Sequence, residues 1–232
     1  MKQLNVFCEG RTEQGFCNQL LQPHLFPNGG GIVHTLAAGE LDHHHLYGLG
    51  RGRKYRGQKG VRSFIRNTIK QRQGKNVYFT SLFDLYGLPN DFPGKAENTK
   101  NPANPTSYVV ALEKALRVDI DYHRFIPNIV LHEYETMLFA GPDHFRVSFE
   151  NCEDAICVLK AIAESVPSIE QINEGKDSAP SKRIIAVIPE YEGRKASAGP
   201  DIATCIGFDT IRTLCPHVHA WLEKLETIPW EE

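Results

Sequence analysis

Two glutamates near the start of the chain have the residue type and spacing of a cation site. The apolar run Leu4–Cys8 ends at Glu9, and Glu13 follows four residues later. Gly10 allows a tight turn here, and Thr12 can cap a helix whose first turn carries Glu13. The pattern predicts two carboxylates at a strand-to-helix corner, where oxygen ligands favour a divalent cation. An acid in a first helical turn is also ordinary capping chemistry, so the pair alone leaves both interpretations open.

Two further acidic sites follow apolar runs. Asp84 ends the run Asn76–Phe83, and Glu133 and Glu135 come shortly after the run Phe125–Leu131. Ligand sites of open α/β sheets gather at the carboxyl ends of the strands, so we expect these acids to converge. Crowded carboxylates cost several kcal/mol unless positive charge offsets them, and Mg²⁺ or Mn²⁺ is the simplest candidate. Two such ions about 3.5–4 Å apart would stabilise both the attacking and the leaving oxygen in phosphodiester cleavage.

The elements around these acids predict an α/β fold, a mostly parallel, Rossmann-like sheet flanked by helices. The first three elements alternate as strand, helix and strand, which favours a right-handed crossover and parallel pairing. After residue 141 the apolar spacing changes to that of helices. We therefore divide the chain into an α/β core, 1–140, and a helical C-terminal region, 141–232. The predicted helices of that region are 152–164, 168–173, 179–187, 199–214 and 216–226.

Positive charge is concentrated in one segment. The formal net charge is −2, yet ten of the 26 Lys and Arg residues and no Asp or Glu lie between His43 and Phe83. Within this segment, residues 38–60 form a long glycine-rich loop in our prediction, and loops of that length are usually functional or disordered. Arginines beside glycines are suited to contacts with a nucleic-acid backbone. The alternative is a solvated loop that binds nothing. The predicted nucleic-acid contacts are Arg51, Arg53, Lys54, Arg56, Lys59, Arg62 and Arg66.

The composition is that of an ordinary globular protein. Hydrophobic residues make up 41% of the 232 residues and charged residues 23%, close to typical values. No run approaches the ~20 apolar residues of a membrane span, and the first residues lack a signal-peptide pattern, so we expect a cytoplasmic protein. Six cysteines with no Cys-x-x-Cys pair suit neither a zinc site nor a disulfide framework and predict reduced structural thiols.

The acidic motifs resemble a known fold. Glu-Gly-x-Thr-Glu after the first strand, an Asp ending a middle strand and a later pair of acids are similar to the Toprim fold of topoisomerases, primases and OLD-family nuclease domains. The longer motifs Phe-Asp-Leu-Tyr-Gly-Leu-Pro and Leu-His-Glu-Tyr-Glu resemble a bacterial, defence-associated family within that group. The resemblance implies a metal ligand or acid/base at Glu9, a second-metal ligand at Glu13, the first Asp of an Asp-x-Asp motif at Asp84, and later acidic ligands at Glu133 and Glu135.

One position departs from the Toprim pattern. Tyr86 stands where the second Asp of Asp-x-Asp is expected, which weakens one metal site unless Asp91, Glu133 or Glu135 substitutes. Asp91 has an alternative role in capping a turn. OLD-type nucleases carry an ABC-like ATPase domain, and this chain has no Gly-x-x-x-x-Gly-Lys-Ser/Thr motif. The resemblance therefore implies a separate ATPase subunit and a role in defence against phage.

Three functional hypotheses follow from these patterns. The first is a Mg²⁺- or Mn²⁺-dependent nuclease acting on DNA rather than RNA, with Glu9, Asp84 and Glu133 as catalytic residues. Lys182 or Arg183 would then contact phosphate, or else serve only at the surface. The second is an inactive Toprim-like subunit that regulates an ATPase, and the third is a phosphatase or nucleotide hydrolase with the same metals.

Overall fold

The central element is a five-stranded parallel sheet. The structure, a computed structural model, describes residues 1–37, 54–57, 60–98, 104–172 and 178–231. Four strands follow the order β2-β1-β3-β4, and β5 also pairs with β3. This arrangement confirms the predicted fold class, an α/β fold with a helical C-terminal region. The strands are β1 (Lys2–Cys8), β2 (Gly31–Ala37), β3 (Val77–Asp84), β4 (Phe125–Ile126) and β5 (Ile129–Val130).

Helices connect and cover these strands. The first helical stretch runs without a break from α1 through a π-helical turn, Cys17–Leu21, into α2. Short 3₁₀ turns at Leu85–Gly87 and Tyr134–Ala140 follow β3 and β5 directly. The helices are α1 (Arg11–Phe16), α2 (Gln22–Leu25), α3 (Val61–Arg72), α4 (Pro105–Ile120), α5 (Glu153–Glu164), α6 (Pro180–Val187), α7 (Tyr191–Leu214) and α8 (Pro216–Glu226).

Alternating side chains of the sheet feed two hydrophobic cores, one on each face. On β1, Leu4 and Val6 point into the core shared with α1, α7 and α8, whereas Phe7 points into the core shared with α3 and α4. The period of two is that of a strand covered on both faces. On β3, Leu82 and Phe83 divide between the same two cores.

The C-terminal helices therefore cover one face of the sheet. Trp221 of α8 is 2% exposed and its indole N–H donates to Thr80 Oγ1 of β3 at 2.9 Å. The hydroxyl of Thr80 in turn donates to the carbonyl of Ile126. These bonds join α8, β3 and β4 through buried groups. The division into a core, 1–140, and a helical region, 141–232, stays a prediction.

Two predicted elements differ from the structure for backbone reasons. The predicted strand 125–131 is two short strands, because Pro127 has no N–H to donate to a ladder. The last long helix begins at Tyr191 rather than at 199, although Pro200 lies inside it, and it bends at Gly207, where φ is 76°.

No helix in the described part of the chain combines the length and the apolar content needed to cross a bilayer. The cytoplasmic location stays a prediction. All six cysteines are free; Cys8, Cys17, Cys152 and Cys215 are buried, whereas Cys157 and Cys205 are exposed.

Candidate functional site

The first carboxylate of the site lies where the strand order changes direction. β1 pairs with β2 on one side and with β3 on the other, so the crevice between β1 and β3 is the usual ligand position of an open sheet. Glu9 follows β1 directly, and its Oε1 accepts the N–H of Asp84, the last residue of β3, at 2.8 Å. A Cβ on Gly87 would lie 2.5 Å from Glu9 Oε2. A side chain at position 87 would therefore displace the Glu9 carboxylate.

Glu13 caps the helix that follows. The N-terminal cap of α1 is Gly10, in extended backbone, and its N–H donates to Glu13 Oε2 at 2.8 Å. The prediction that Thr12 caps this helix is wrong, because α1 already begins at Arg11 and Thr12 lies inside its first turn. The capping function that the sequence allowed for Glu13 is thus present, and it fixes this carboxylate beside Glu9.

Asp84 and Glu133 are both held by backbone amides of later elements. Asp84 Oδ1 accepts the N–H of Tyr134 at 2.8 Å, which joins the end of β3 to the turn after β5. Glu133 Oε2 accepts the N–H of Ser181 at 3.0 Å, in the first turn of α6. A carboxylate is favourable in that position because the free amides of a helix start are partly positive.

Glu135 lies deeper and has a cationic partner. Its Oε1 accepts the hydroxyl of Tyr191 at 3.4 Å and lies 3.4 Å from the ammonium of Lys195. Tyr191 and Lys195 are four residues apart on α7, which puts them on one helix face. The predicted start of α7 at 199 excluded both residues, so the sequence placed Lys195 only among scattered cations. The one sequence feature that could have indicated this contact is the spacing of Tyr191 and Lys195, which are four residues apart.

The five acids differ in exposure. Glu9, Asp84 and Glu133 are partly exposed, whereas Glu13 and Glu135 are buried, each 6% exposed. Glu13 accepts the N–H of Gly10, and Glu135 lies beside the ammonium of Lys195. We call Glu13 and Glu135 the buried pair.

Electrostatic coupling shows that the acids share one environment. Burial raises the pKa of Glu9 to about 8, and the negative charges of Glu13 and Glu133 add to the effect. Burial raises the pKa of Asp84 well above its usual range, and the charges of Glu9, Glu13, Glu135 and Glu133 raise it further. The acids that follow separate strands therefore lie near enough for their charges to influence one another, and their convergence on one ligand stays a prediction.

Lys195 opposes the effect of burial on the buried pair. Burial raises the pKa of Glu13 to about 6, although the Gly10 amide and the charge of Lys195 oppose this shift. Burial also raises the pKa of Glu135, and the Lys195 ammonium opposes it most strongly. The protein therefore supplies one positive charge of its own to these two carboxyl groups.

A buried phenol lies against the cluster. The Tyr134 hydroxyl has no hydrogen-bond partner among the residues that the structure describes. Burial, followed by the charges of Glu13 and Glu135, raises the pKa of Tyr134 well above its usual range, so it remains a neutral donor. A buried donor without an acceptor is costly and is a reason to expect a ligand or water beside it.

The donor chemistry of the site fits Mg²⁺ or Mn²⁺, which prefer carboxylate oxygens. In the described ranges, however, no group of three or more His, Cys, Asp or Glu side chains is arranged to hold a metal ion. The backbone bonds of Glu9, Glu13, Asp84 and Glu133 explain this, since each directs an oxygen to an amide. Metal binding would exchange some of these bonds for contacts with the cation.

Tyr86 supplies no carboxylate at the position where the Toprim pattern has one. Its N–H donates to the carbonyl of His132 at 3.2 Å, and the two rings are 5.3 Å apart. Asp91, one of the predicted substitutes, accepts the backbone N–H groups of Tyr55 and Arg56 instead. Asp91 therefore binds two amides of a segment 35–36 residues earlier in the chain, which is neither the contact with Asp84 nor the local turn cap that the sequence offered.

The predicted cationic contacts divide into several groups. Lys54, Arg56 and Arg66 are exposed, whereas Arg62 donates to Asp119 at 2.7 Å. Arg51, Arg53 and Lys59 lie outside the described residues.

The two cations offered as phosphate contacts, Lys182 and Arg183, lie on α6. Lys182 lies 3.9 Å from Glu192 and is half exposed, and Arg183 donates to the carbonyl of Ser178 at 2.9 Å. Their neighbour Ser181, whose N–H bonds Glu133, had no predicted role. A backbone contact of this kind leaves no signal in the side-chain pattern.

The fold and the site define an α/β protein with a parallel sheet and a carboxylate cluster at the carboxyl ends of its strands. The chain belongs to the family described as a domain of unknown function, DUF4276, whose family model matches residues 8–226. This match includes all five acids of the site. No curated protein and no solved structure matches the chain.

Proposed function

We propose that this protein is a metal-dependent nuclease that hydrolyses phosphodiester bonds in DNA. The observation that carries the proposal is the cluster of five acids from three strand ends, coupled to one another at the crevice between β1 and β3. Buried like charges destabilise a protein unless a positive charge offsets them. The contact of Lys195 with Glu135 offsets one such charge, and a divalent cation is the simplest source of the rest.

The residues that would hold Mg²⁺ or Mn²⁺ are the partly exposed Glu9, Asp84 and Glu133, together with the buried Glu13 and Glu135. A bound dication would supply a Lewis acid for the phosphate and a water of lowered pKa. The Tyr134 hydroxyl adds a neutral donor next to the acids. The resemblance to the Toprim fold supports the same assignment of metal ligands.

The charge distribution supports a polyanionic substrate. Lys54, Arg56 and Arg66 are exposed and belong to a segment that has ten cations and no acid. Neutralising backbone phosphates is the main source of nucleic-acid affinity. The basic segment would bind the strand, while the acid cluster without metal repels it.

A separate ATPase subunit completes the proposal. This part rests on the resemblance to OLD-type nucleases together with the missing Gly-x-x-x-x-Gly-Lys-Ser/Thr motif. The same resemblance supports a cytoplasmic role in defence against phage.

Cleavage assays with matched variants test the nuclease proposal. Plasmid and single-stranded DNA and RNA are incubated with the protein in Mn²⁺ or EDTA, alone and with a co-expressed ATPase. We expect cleavage of DNA with Mn²⁺, and none with EDTA, Glu9→Gln or Asp84→Asn. Cleavage that survives both substitutions would exclude the assigned site. Turnover of p-nitrophenyl phosphate without DNA cleavage would indicate the phosphatase.

Two observations support an alternative function without catalysis. Tyr86 stands in place of an acid, and the described acids are not arranged around a common point for a metal. Both facts favour a Toprim-like subunit that binds or regulates an ATPase without chemistry. Absence of Mn²⁺ binding by calorimetry, together with no cleavage in the ATPase complex, would favour this function over the nuclease.

A further inference from the structure

One carboxylate fixes a short part of the basic segment. Asp91 accepts the N–H of Tyr55 with Oδ1 at 2.7 Å and the N–H of Arg56 with Oδ2 at 2.9 Å. Both oxygens of one acid thus bind consecutive amides. Hydrogen bonds to a charged group contribute about 1.5–3 kcal/mol each. The backbone of Tyr55 and Arg56 is therefore held against the turn that follows β3.

The side chain of Tyr55 makes a second attachment. It is fully buried, its hydroxyl donates to Asp119 Oδ2 at 2.7 Å, and its ring meets the Phe92 ring edge-on at 5.1 Å. Arg62 of α3 donates to the same Asp119 oxygen at 2.7 Å. Asp119 therefore joins Tyr55, α3 and α4. We call Tyr55, Asp91 and Asp119 the anchor.

The anchor lies close to the acid cluster along the chain. Gly87 lies against the Glu9 carboxylate, and Asp91 is the fourth residue after Gly87. At no more than about 3.6 Å per residue, Asp91 lies within about 14 Å of Gly87. This distance corresponds to about four nucleotides of B-DNA at about 3.4 Å per step along one strand.

The anchor leaves two cations available. Lys54 and Arg56 are exposed, and neither is in an ion pair with another described residue. Asp91 directs both of its oxygens to backbone amides, and despite some burial these bonds, followed by the charge of Lys54, hold its pKa below the usual range. Side chains on a fixed backbone lose less entropy on binding than side chains on a free loop.

We infer that Tyr55 and Asp91 are positioning residues that hold Lys54 and Arg56 as a phosphate-backbone contact beside the acid cluster. The inference rests on the proposed function, because it assumes a nucleic-acid substrate. The anchor acts on binding and leaves the chemistry at the acids unchanged. A merely structural anchor would instead alter stability without altering the affinity for nucleic acid.

Binding without metal isolates this effect. The full chain is titrated against a fluorescein-labelled 20-nucleotide single strand and the matching duplex, by anisotropy in EDTA at 50–200 mM NaCl. Lys54→Ala with Arg56→Ala should weaken binding at least tenfold and lower the salt slope by one to two. Asp91→Ala should weaken it about fivefold to tenfold. The control is Asp143→Ala, an exposed acid paired with Arg146 and Lys160, which should bind as wild type.

A conservative variant distinguishes the loss of one contact from unfolding of the protein. Tyr55→Phe keeps the buried ring and both amide bonds to Asp91 but loses the bond to Asp119. We expect a twofold to fivefold loss of affinity with a cooperative thermal transition retained. In Mn²⁺, Asp91→Ala should raise KM and leave kcat within twofold, whereas Glu9→Gln should abolish kcat.

The outcomes separate the two proposals. Wild-type affinity in Asp91→Ala and Tyr55→Phe, together with loss of affinity in the Lys54/Arg56 double variant, would overturn the anchor and leave the nuclease standing. Unchanged affinity in the double variant would also overturn it. DNA binding that depends on the anchor, with no cleavage under any condition, would support the inference and remove the nuclease. Absence of any nucleic-acid binding by the wild-type chain would overturn both.

Discussion

Replacing Glu9 by glutamine should stabilise the metal-free protein at neutral pH. Glu9 has its pKa raised to about 8 from 4.5, chiefly by burial and then by Glu13. A raised pKa of an acid means that the folded state binds more protons than the unfolded state between those two values. Stability should therefore fall as pH rises from about 4.5 to about 8 and level off above this range.

The size of the effect follows from the same shift. Between pH 4.5 and 7 the unfavourable contribution reaches at most about 3.4 kcal/mol, at about 1.4 kcal/mol per pH unit. Glu9 is partly exposed, so solvent screening reduces this, and we expect a gain of about 1–2 kcal/mol for Glu9→Gln at pH 7. The glutamine carbonyl can still accept the N–H of Asp84, which limits the loss of hydrogen bonding.

Urea unfolding at pH 5, 7 and 9 in EDTA measures this gain. The free energies of unfolding of the wild type and Glu9→Gln should be similar at pH 5 and should separate at pH 7 and 9. Mn²⁺ should then stabilise the wild type, by about 2.7 kcal/mol at one hundred times its Kd, and leave Glu9→Gln unchanged. The control is Glu150→Gln at an exposed glutamate. A difference that does not depend on pH, or a destabilised Glu9→Gln at every pH, would refute the reasoning.

Three further substitutions test other contacts of the site and the core. Lys195→Met should lower the free energy of unfolding by about 1–3 kcal/mol at pH 8 and by less at pH 5, because the buried carboxylate it contacts loses its cation. Gly87→Ala should displace the Glu9 carboxylate and abolish Mn²⁺ binding measured by calorimetry. Thr80→Val should cost about 1–3 kcal/mol in urea unfolding followed by tryptophan fluorescence, since the Trp221 N–H loses its acceptor.

Each of these has a matched control at the surface. Lys182→Met removes a half-exposed lysine that lies 3.9 Å from the exposed Glu192. Gly193→Ala places a Cβ where no atom lies within 4 Å. Thr213→Val alters an exposed threonine whose hydroxyl bonds a carbonyl of its own helix. An equal loss in a control and its partner variant would show that the substitution type, rather than the contact, causes the change.

The sequence predicted the strands and their terminal acids well, because buried parallel strands are continuous apolar runs. The apolar runs of β1 and β3 are short and bounded by polar residues, which identifies them as strands. Glu9 and Asp84 are the acids found where these two runs end. Parallel order then requires their carboxyl ends to meet at one edge. What could be predicted was thus set by local hydrophobicity and by topology.

The missing parts depend on contacts between distant segments. Gly199 and Pro200 lower the helix propensity of α7, so its start was predicted too late and Lys195 was not assigned to the site. In the structure these small residues let α7 approach α1 closely, since a Cβ on Gly15 would clash with Pro200 and one on Gly199 would lie 3.0 Å from Thr12. Tertiary packing therefore outweighs local propensity here, and no local pattern indicates it.

The hydrogen bond between the indole of Trp221 and Thr80 joins the last helix to the sheet, and this limits where the chain can be truncated or divided. The last helix covers part of one apolar face of the sheet. A fragment that stops after the sheet would therefore expose this apolar face to water and aggregate. An engineered fusion or split version should therefore keep the helices after residue 141 on the same polypeptide as the strands, or supply them together during folding.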